Sequence, residues 1–240
     1  ALEENEKKYR QLNSTKDNLF SVIAHDIKNP LNSIIGFSEL IEKNKGTYTP
    51  EKIRDFNKII LQSSNSLSDM LENLLIWSNT QRQAILYNPE FVEINPIIQK
   101  CFDLLKPLAD KKQIAMQNHI PVETLVFADT EMITIIIRNI LSNALKFTNP
   151  GGKIIINSSS RKDNVVISIS DNGIGITPNR ANKLFKEQDC YSTAGTSGEK
   201  GTGLGLAICK DFVEQNKGSI WLDSIPGIGS TFSFSIPVKE

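Results

Sequence analysis

Between residues 50 and 81, two rows of apolar side chains advance in steps of seven. Ile53, Ile60, Leu67 and Leu74 form one row; Phe56, Met70 and Trp77 form the other, with Ser63 as its single polar gap. A helix marked in this way has to bury a long seam against other helices, the pattern of a left-handed bundle. The punctuation of the chain agrees. Only Gly36 and Gly46 of the 14 glycines fall in the first 150 residues, and before Asn88 the only prolines are Pro30 and Pro50. Long helices are expected first, followed by a turn-rich α/β region.

The stretch KNKGTYTPEK, with Gly46 and Pro50, marks the turn into that helix from an earlier one. The earlier helix offers Leu19, Ile23, Ile27, Leu31, Ile34 and Ile41 as its apolar stripe. Two helices cannot enclose faces this broad, so the expected solution is a homodimer closed as a four-helix bundle. A helical linker lying on the next domain is the alternative. Leu2 and Tyr9, then Leu12 and Leu19, keep a seven-residue step, as a signalling helix over 1–18 running in from an upstream module would.

From Asn88 onward, strand-like and helix-like runs alternate. FVEI and QIAMQNHI read as strands around a helix opened by Asn95 and Pro96, a cap and first-turn pair. TLVFAD, KIIINSSS, NVVISISD and a terminal hairpin GSIWLDS/STFSFSI read as strands. Helices are expected over about 131–147, after Thr177 and Pro178, and through LGLAICKDFVEQN. Roughly five strands and three or four helices predict a two-layer α/β sandwich with a mixed sheet. The expected division is a helical hairpin over 1–87 and an α/β domain over 88–240.

Lys+Arg and Asp+Glu are equal at 27 each, so nothing in the overall charge argues for nucleic acid or an anionic membrane as partner, and no nucleic acid is expected. No apolar run approaches the ~18 residues of a membrane span and no signal peptide opens the chain, so no direct membrane contact is expected. Cys101, Cys190 and Cys209 are odd in number and lack CxxC spacing, which fits a reducing cytoplasm and argues against zinc.

Three stretches carry chemistry. In EMITIIIRNILSNALKFT, Ile133, Ile136, Ile137, Ile140, Leu141 and Ala144 form a core face, while Asn139, Asn143 and Lys146 share another stripe. Two amides and an ammonium on one face could hold a hydrated divalent cation and its phosphates; a solvated helix face is the plainer reading. In VVISISDNGIGI, Asp171 ends an apolar strand. Its carboxylate can accept a hydrogen bond from an exocyclic amine such as adenine's, and Gly173 and Gly175 would let the ring approach; a tight turn explains the same residues. GTGLGLAI opens a helix, where free N–H groups attract anions and glycines leave room for phosphate, yet it is neither a Walker nor a Rossmann loop. The small, polar EQDCYSTAGTSGEK before it suits a mobile lid, with Phe185 of NKLFKE as its apolar anchor or a plain core residue.

In this order, the three motifs resemble the ATP-binding domain shared by sensor histidine kinases, gyrase, the Hsp90 chaperones and the MutL repair proteins. The resemblance covers about residues 90–238 and implies the Bergerat ATP fold, with ATP and Mg²⁺ as ligands. It implies that Asn143 ligates magnesium, Asn139 and Lys146 lie near the phosphates, and Asp171 reads adenine beside Gly173 and Gly175. Gly201, Thr202, Gly203, Leu204 and Gly205 would lie against the phosphates. Relatives often carry a basic residue shortly after the lid-start Phe; here Lys186 follows Phe185 directly, and Lys200 is the other candidate.

Upstream, AHDIKNPLNSI resembles the phosphoacceptor box of a sensor histidine kinase, which extends the resemblance over the whole chain. His25 lies two residues from both Ile23 and Ile27, about 200° around a helix from each, and so points away from the stripe. An exposed neutral imidazole is a competent nucleophile toward a γ-phosphate, and Asp26 can accept a hydrogen bond from one ring nitrogen. Asn29 lies one turn on; the resemblance implies that it orients water for a phosphatase reaction. Pro30 costs roughly 3 kcal/mol inside a helix and reads as a hinge or a static kink. His119 reads as structural.

The expected mechanism has the ATP domain swing against the bundle, His25 take the γ-phosphoryl group, and an aspartate on a response-regulator receiver domain accept it. The resemblance implies a cytoplasmic core of a protein anchored in the membrane upstream. An ATP-hydrolysing clamp and a non-catalytic nucleotide-binding scaffold are the rival readings.

Overall fold

The computed structural model describes residues 24, 27–43, 46–81, 87–181, 183–185, 193–199 and 205–239, which fall into two compact units divided between Ser78 and Asn79. Leu19, Ile23, the side chain of Trp77 and the 1–18 segment lie outside the described residues.

The first unit is a helical hairpin. Helix α1 (27–43) continues through Pro30. The Ser33 hydroxyl donates to the Asn29 carbonyl at 3.2 Å. Helix α2 (Pro50–Gln81) starts on proline, whose fixed φ suits a first helical turn. The Thr49 carbonyl accepts from the Ile53 N–H at 3.1 Å, opening that turn. Phe37 on α1 meets Phe56 on α2 with ring centroids 5.2 Å apart, and Tyr48 closes edge-on against Phe56 at the same separation.

Along the seam Met70 is buried, but Ile53, Phe56, Ile60, Ser63, Leu67 and Leu74 are only half-buried. Leu31, Ile35 and Leu40 of α1 and Leu71 of α2 are exposed, and Leu61 and Leu75 of α2 are exposed to 62% and 64%. Taken by itself, the hairpin leaves a broad apolar face open.

The second unit is an α/β sandwich with seven strands among the described residues, one in each of the seven stretches read as strands; the expected figure of roughly five matches the main sheet alone. Five form one sheet in the order β2 (Ala115–Asn118), β4 (Lys153–Arg161), β5 (Asn164–Asp171), β7 (Gly229–Pro237) and β6 (Ser219–Ile225). The β2–β4 pair is parallel and the other pairs antiparallel, so the sheet is mixed. The two further strands, β1 (Glu90–Glu93) and β3 (Leu125–Ala128), pair only with each other.

Helix α4 (Thr130–Phe147) packs between α3 (Ile94–Lys112) and α6 (Gly205–Gln215), and the three rest on the sheet; α5 (Pro178–Ala181) is the single short turn expected after Thr177 and Pro178. The face read from the 3.6-residue period is the core face: Ile133, Ile136, Ile137, Ile140 and Leu141 are fully buried. Each contributes about 1.5–3 kcal/mol relative to an exposed side chain. The sheet adds Ile154, Ile156, Ile167, Ile169, Phe234 and Ile236. Between these apolar positions, hydroxyls pair across strands, Ser168 with Ser233 and Ser170 with Thr231, each at 2.9 Å.

Two local expectations change. Helix α3 begins at Ile94 with Glu93 in the cap position, so Asn95 is not the cap. Its amide instead donates to the Pro121 carbonyl and accepts from Asn118, both at 2.8 Å, tying α3 to the strand ends. Strand β2 stops at Asn118, leaving His119 exposed just beyond it with its backbone N–H on the Ile156 carbonyl at 2.8 Å.

Candidate functional site

Asp129 sets the start of the helix that carries most of the candidate residues. Its carboxylate accepts from the Glu131 and Met132 N–H groups, both at 3.0 Å, a strong N-cap. Buried Asn216 accepts from the Asp129 N–H at 2.8 Å and donates to the Phe212 carbonyl at 2.7 Å, clipping the end of α6 to the start of α4.

Asn139, Asn143 and Lys146 follow on one stripe, the two amides half-buried and the lysine 9% exposed. Among the described residues, Asn139 Nδ2 is the one buried side-chain nitrogen or oxygen without a hydrogen-bond partner. Such a donor costs about 1–3 kcal/mol, so it is poised for an acceptor that the described residues do not supply. A Cβ on Gly205, the first residue of α6, would touch the Asn139 side chain at 3.6 Å, which places that amide against a helix N-terminus. Beside it, burial pushes the Cys209 thiol up to about 12; the Asn139 side chain opposes this weakly without reaching hydrogen-bond geometry. Burial also pulls the Lys146 ammonium below the usual lysine range, partly offset by the Glu199 carboxylate. Its Nζ stands 4.8 Å from the Phe147 ring centroid.

Asp171 ends β5 close to the carboxyl end of α4. Its Oδ1 accepts from the Gly173 N–H at 2.8 Å, and the Ile174 N–H reaches the Phe147 carbonyl at 3.1 Å. Burial pushes the Asp171 carboxyl above the ordinary aspartate value; hydrogen bonds from the main chain of Gly173 and Ser230 oppose it. The glycines beside it have structural causes. A Cβ on Gly173 would overlap the Phe147 carbonyl, and one on Gly175, at φ +64°, would overlap the main chain of Ile225. The Asp-Asn-Gly turn is therefore pressed between α4 and β6, and this packing alone demands both glycines.

The segment 193–199 returns to the same end of α4. The Thr196 N–H donates to the Lys146 carbonyl at 3.0 Å, and its hydroxyl donates to the Thr148 carbonyl at 2.8 Å. The Lys112 ammonium, 4% exposed at the end of α3, donates to Leu145 O at 2.7 Å, Lys146 O at 3.2 Å and Thr196 Oγ1 at 2.8 Å, and pairs with Glu199 Oε1 at 2.8 Å. Sequence reading missed Lys112: a basic pair at a helix end is ordinary, and its partners lie 33 to 87 positions away. Phe185 stands edge-on to Phe232 of β7 at 6.4 Å, and Lys210 donates to its carbonyl at 3.3 Å.

In the hairpin, Asn29 is half-buried on α1. His25, Asp26, Lys186, Lys200, Gly201, Thr202, Gly203 and Leu204 lie outside the described residues. Among the described residues, no helix is long and apolar enough to cross a membrane.

Comparison with known proteins matches the two units separately. Residues 15–83 match the His Kinase A (phospho-acceptor) domain, and residues 128–240 match the histidine kinase-, DNA gyrase B- and HSP90-like ATPase family. The cell-division control histidine kinase PdhS of Brucella anthropi is 32% identical over 96% of this chain, a match covering 23% of PdhS. The chain thus spans about a quarter of the length of the curated relatives it matches. Among solved structures, histidine kinase ThkA in complex with response regulator protein TrrA superposes with a TM-score of 0.73. The identity is 26%, over 98% of this chain and 66% of the ThkA chain. Full-length ShkA in complex with AMPPNP superposes at 0.63 with 25% identity, over 92% of this chain and 45% of that one. The chain belongs to the sensor histidine kinases, of which it comprises the phosphoacceptor hairpin and the ATP-binding domain.

Proposed function

We propose that the chain binds Mg²⁺–ATP in its α/β unit, phosphorylates itself on His25, and passes the phosphoryl group to an aspartate of a response-regulator receiver domain. The observation that carries this reading is one chain with two matches: a phosphoacceptor domain containing the HDIKNP box, and an ATPase domain whose α4 bears the unsatisfied Asn139 amide. The similar ShkA binds AMPPNP and the similar ThkA binds a response regulator, which supports both ends of the reaction. We take residues 1–87 and 88–240 as the two functional domains.

The donor set fits a nucleotide. Asp171 can accept from the adenine amine; Asn139, Lys146 and the N–H groups of the Gly201–Gly205 run can donate to phosphate oxygens; Asn143 can ligate the cation through its amide oxygen. Among the described residues, no group of three or more His, Cys, Asp or Glu could hold a metal; the chemistry of a cation on Asn143 would also admit the ATP phosphate oxygens. When bound, it would neutralise phosphate charge.

The unprotonated imidazole nitrogen of His25 forms an N–P bond as the bond from the γ-phosphorus to the bridging oxygen breaks, and ADP leaves. Asp26 is the residue we assign to accept a hydrogen bond from the other ring nitrogen, which would steady the charge that develops on the ring. We assign Asn29 to orienting the water that removes phosphate from the regulator, and the exposed leucines of α1 and α2 to a homodimer interface. We further assign this core to the cytoplasmic side of a longer, membrane-anchored sensor, as the resemblance implies.

Incubation with γ-labelled ATP tests the reading: acid-labile, base-stable label is expected on the wild-type chain and absent from His25→Gln. Equal labelling of His25→Gln would defeat it.

A further inference from the structure

We propose that Lys112 is a positioning residue for nucleotide binding, acting through Glu199 and Thr196 on the segment that leads into the glycine run. The proposal rests on the ATP reading above and deepens it. Lys112 is buried, and its single ammonium joins three parts of the chain. It caps the last carbonyls of α4, where a cation is favoured by the helix dipole. It also holds Thr196 and Glu199, so residues 193–199 are fastened to that helix end. Lys200 and the Gly201–Gly205 run follow Glu199 directly in the chain.

The fastening reaches Lys146 as well. A Cβ on Gly195 would overlap both the Lys146 stem at Cγ and Glu199 Oε2, so the segment lies flat along the lysine that the ATP reading assigns to phosphate. Lys146's own carbonyl accepts from Lys112 and from Thr196. Electrostatics add a second role. The Glu199 carboxylate acts on both lysines; paired with Lys112 at 2.8 Å, it is spent there. Without Lys112 it would be an uncompensated anion next to Lys146, cancelling the cation and repelling phosphate.

The test measures ATP affinity in the presence of Mg²⁺ by titration calorimetry on the purified chain, with thermal melting as the fold control. Lys112→Met is expected to weaken binding about tenfold or more. Adding Glu199→Gln to Lys112→Met is expected to recover most of that loss, because the stranded carboxylate is gone. A merely structural lysine would show this rescue only in step with recovery of the melting temperature, whereas a positioning lysine shows it in affinity at matched fold stability. Thr196→Val, which keeps every charge, is expected to weaken binding about threefold, and it decides the matter if Lys112→Met does not fold. The proposal is overturned if Lys112→Met binds ATP as wild type does, if the double variant is as weak as the single one, or if Thr196→Val has no effect in a chain that cannot carry Lys112→Met. A wild-type chain that binds no ATP would instead sink the nucleotide reading itself.

Discussion

The hairpin and the α/β unit differ in how completely each buries its own apolar residues. In the α/β unit, α4 alone sends six large side chains to zero exposure: Ile133, Ile136, Ile137, Ile140, Leu141 and Leu145. Among the described residues of the hairpin, the seven-residue rows are half-buried apart from Met70, and six large apolar residues stand exposed. Both carry strong periodicity, so the difference lies in what each has to pack against. Three helices and a five-stranded sheet close a core within one chain; two helices cannot. The unit with the complete core is the one to which we assign the ATP site. The unit left open is the one whose residues match a phosphoacceptor domain, and we read its open face as the place for a second copy.

The largest expected effect would break this comparison at the hairpin. Leu61→Glu combined with Leu75→Glu should weaken self-association by about a hundredfold or more, since two charges would have to be desolvated at the interface. Sedimentation measures it, and ATP affinity of the same variant should stay unchanged. A variant still dimeric at the wild-type concentration would mean that these leucines cover nothing.

Next in size is a change inside the α/β unit. Asp171→Asn should weaken ATP binding about tenfold or more through loss of a charge-assisted hydrogen bond. The same change should stabilise the free chain at neutral pH. The folded-state Asp171 carboxyl titrates above its ordinary value because of burial. Between the unfolded and folded values, the native state holds the proton more readily, so stability falls as pH rises through that window and the loss persists at neutrality. Melting curves at several pH values should show the Asp171→Asn gain at pH 7 vanish below the ordinary aspartate range. An unchanged pH dependence would argue against a desolvated carboxylate.

The smallest effect is reserved for Pro30. Pro30→Ala should raise the melting temperature of the hairpin slightly, because it restores a backbone donor, and should shift the ratio of kinase to phosphatase activity by about two- to threefold. Unchanged activities would reduce the proline to a tolerated kink.

How much was legible depends on whether a residue's role is local. The α4 core face, Pro50 at the start of α2 and the mixed α/β sandwich follow from periodicity and turn chemistry over a few neighbours. Asn95 was misjudged for the same reason: Asn before Pro is a good cap locally, but Pro121 and Asn118 claimed its amide from across the fold. Gly173 and Gly175 were legible as glycines that matter, yet the reason is main chain from Phe147 and Ile225 occupying the space.

Sequence by itself determined the division into a helical hairpin and an α/β domain, the stripe of Asn139, Asn143 and Lys146, and the pairing of a histidine box with ATP-binding motifs, because these are patterns of spacing. Only the tertiary structure decided that Asn139 is left with a buried, unsatisfied donor, that Asp171 is desolvated, and that Lys112 closes the carboxyl end of α4 against Glu199. Burial and electrostatic environment are properties of what surrounds a residue, and at these positions the surroundings come from segments far away in the chain.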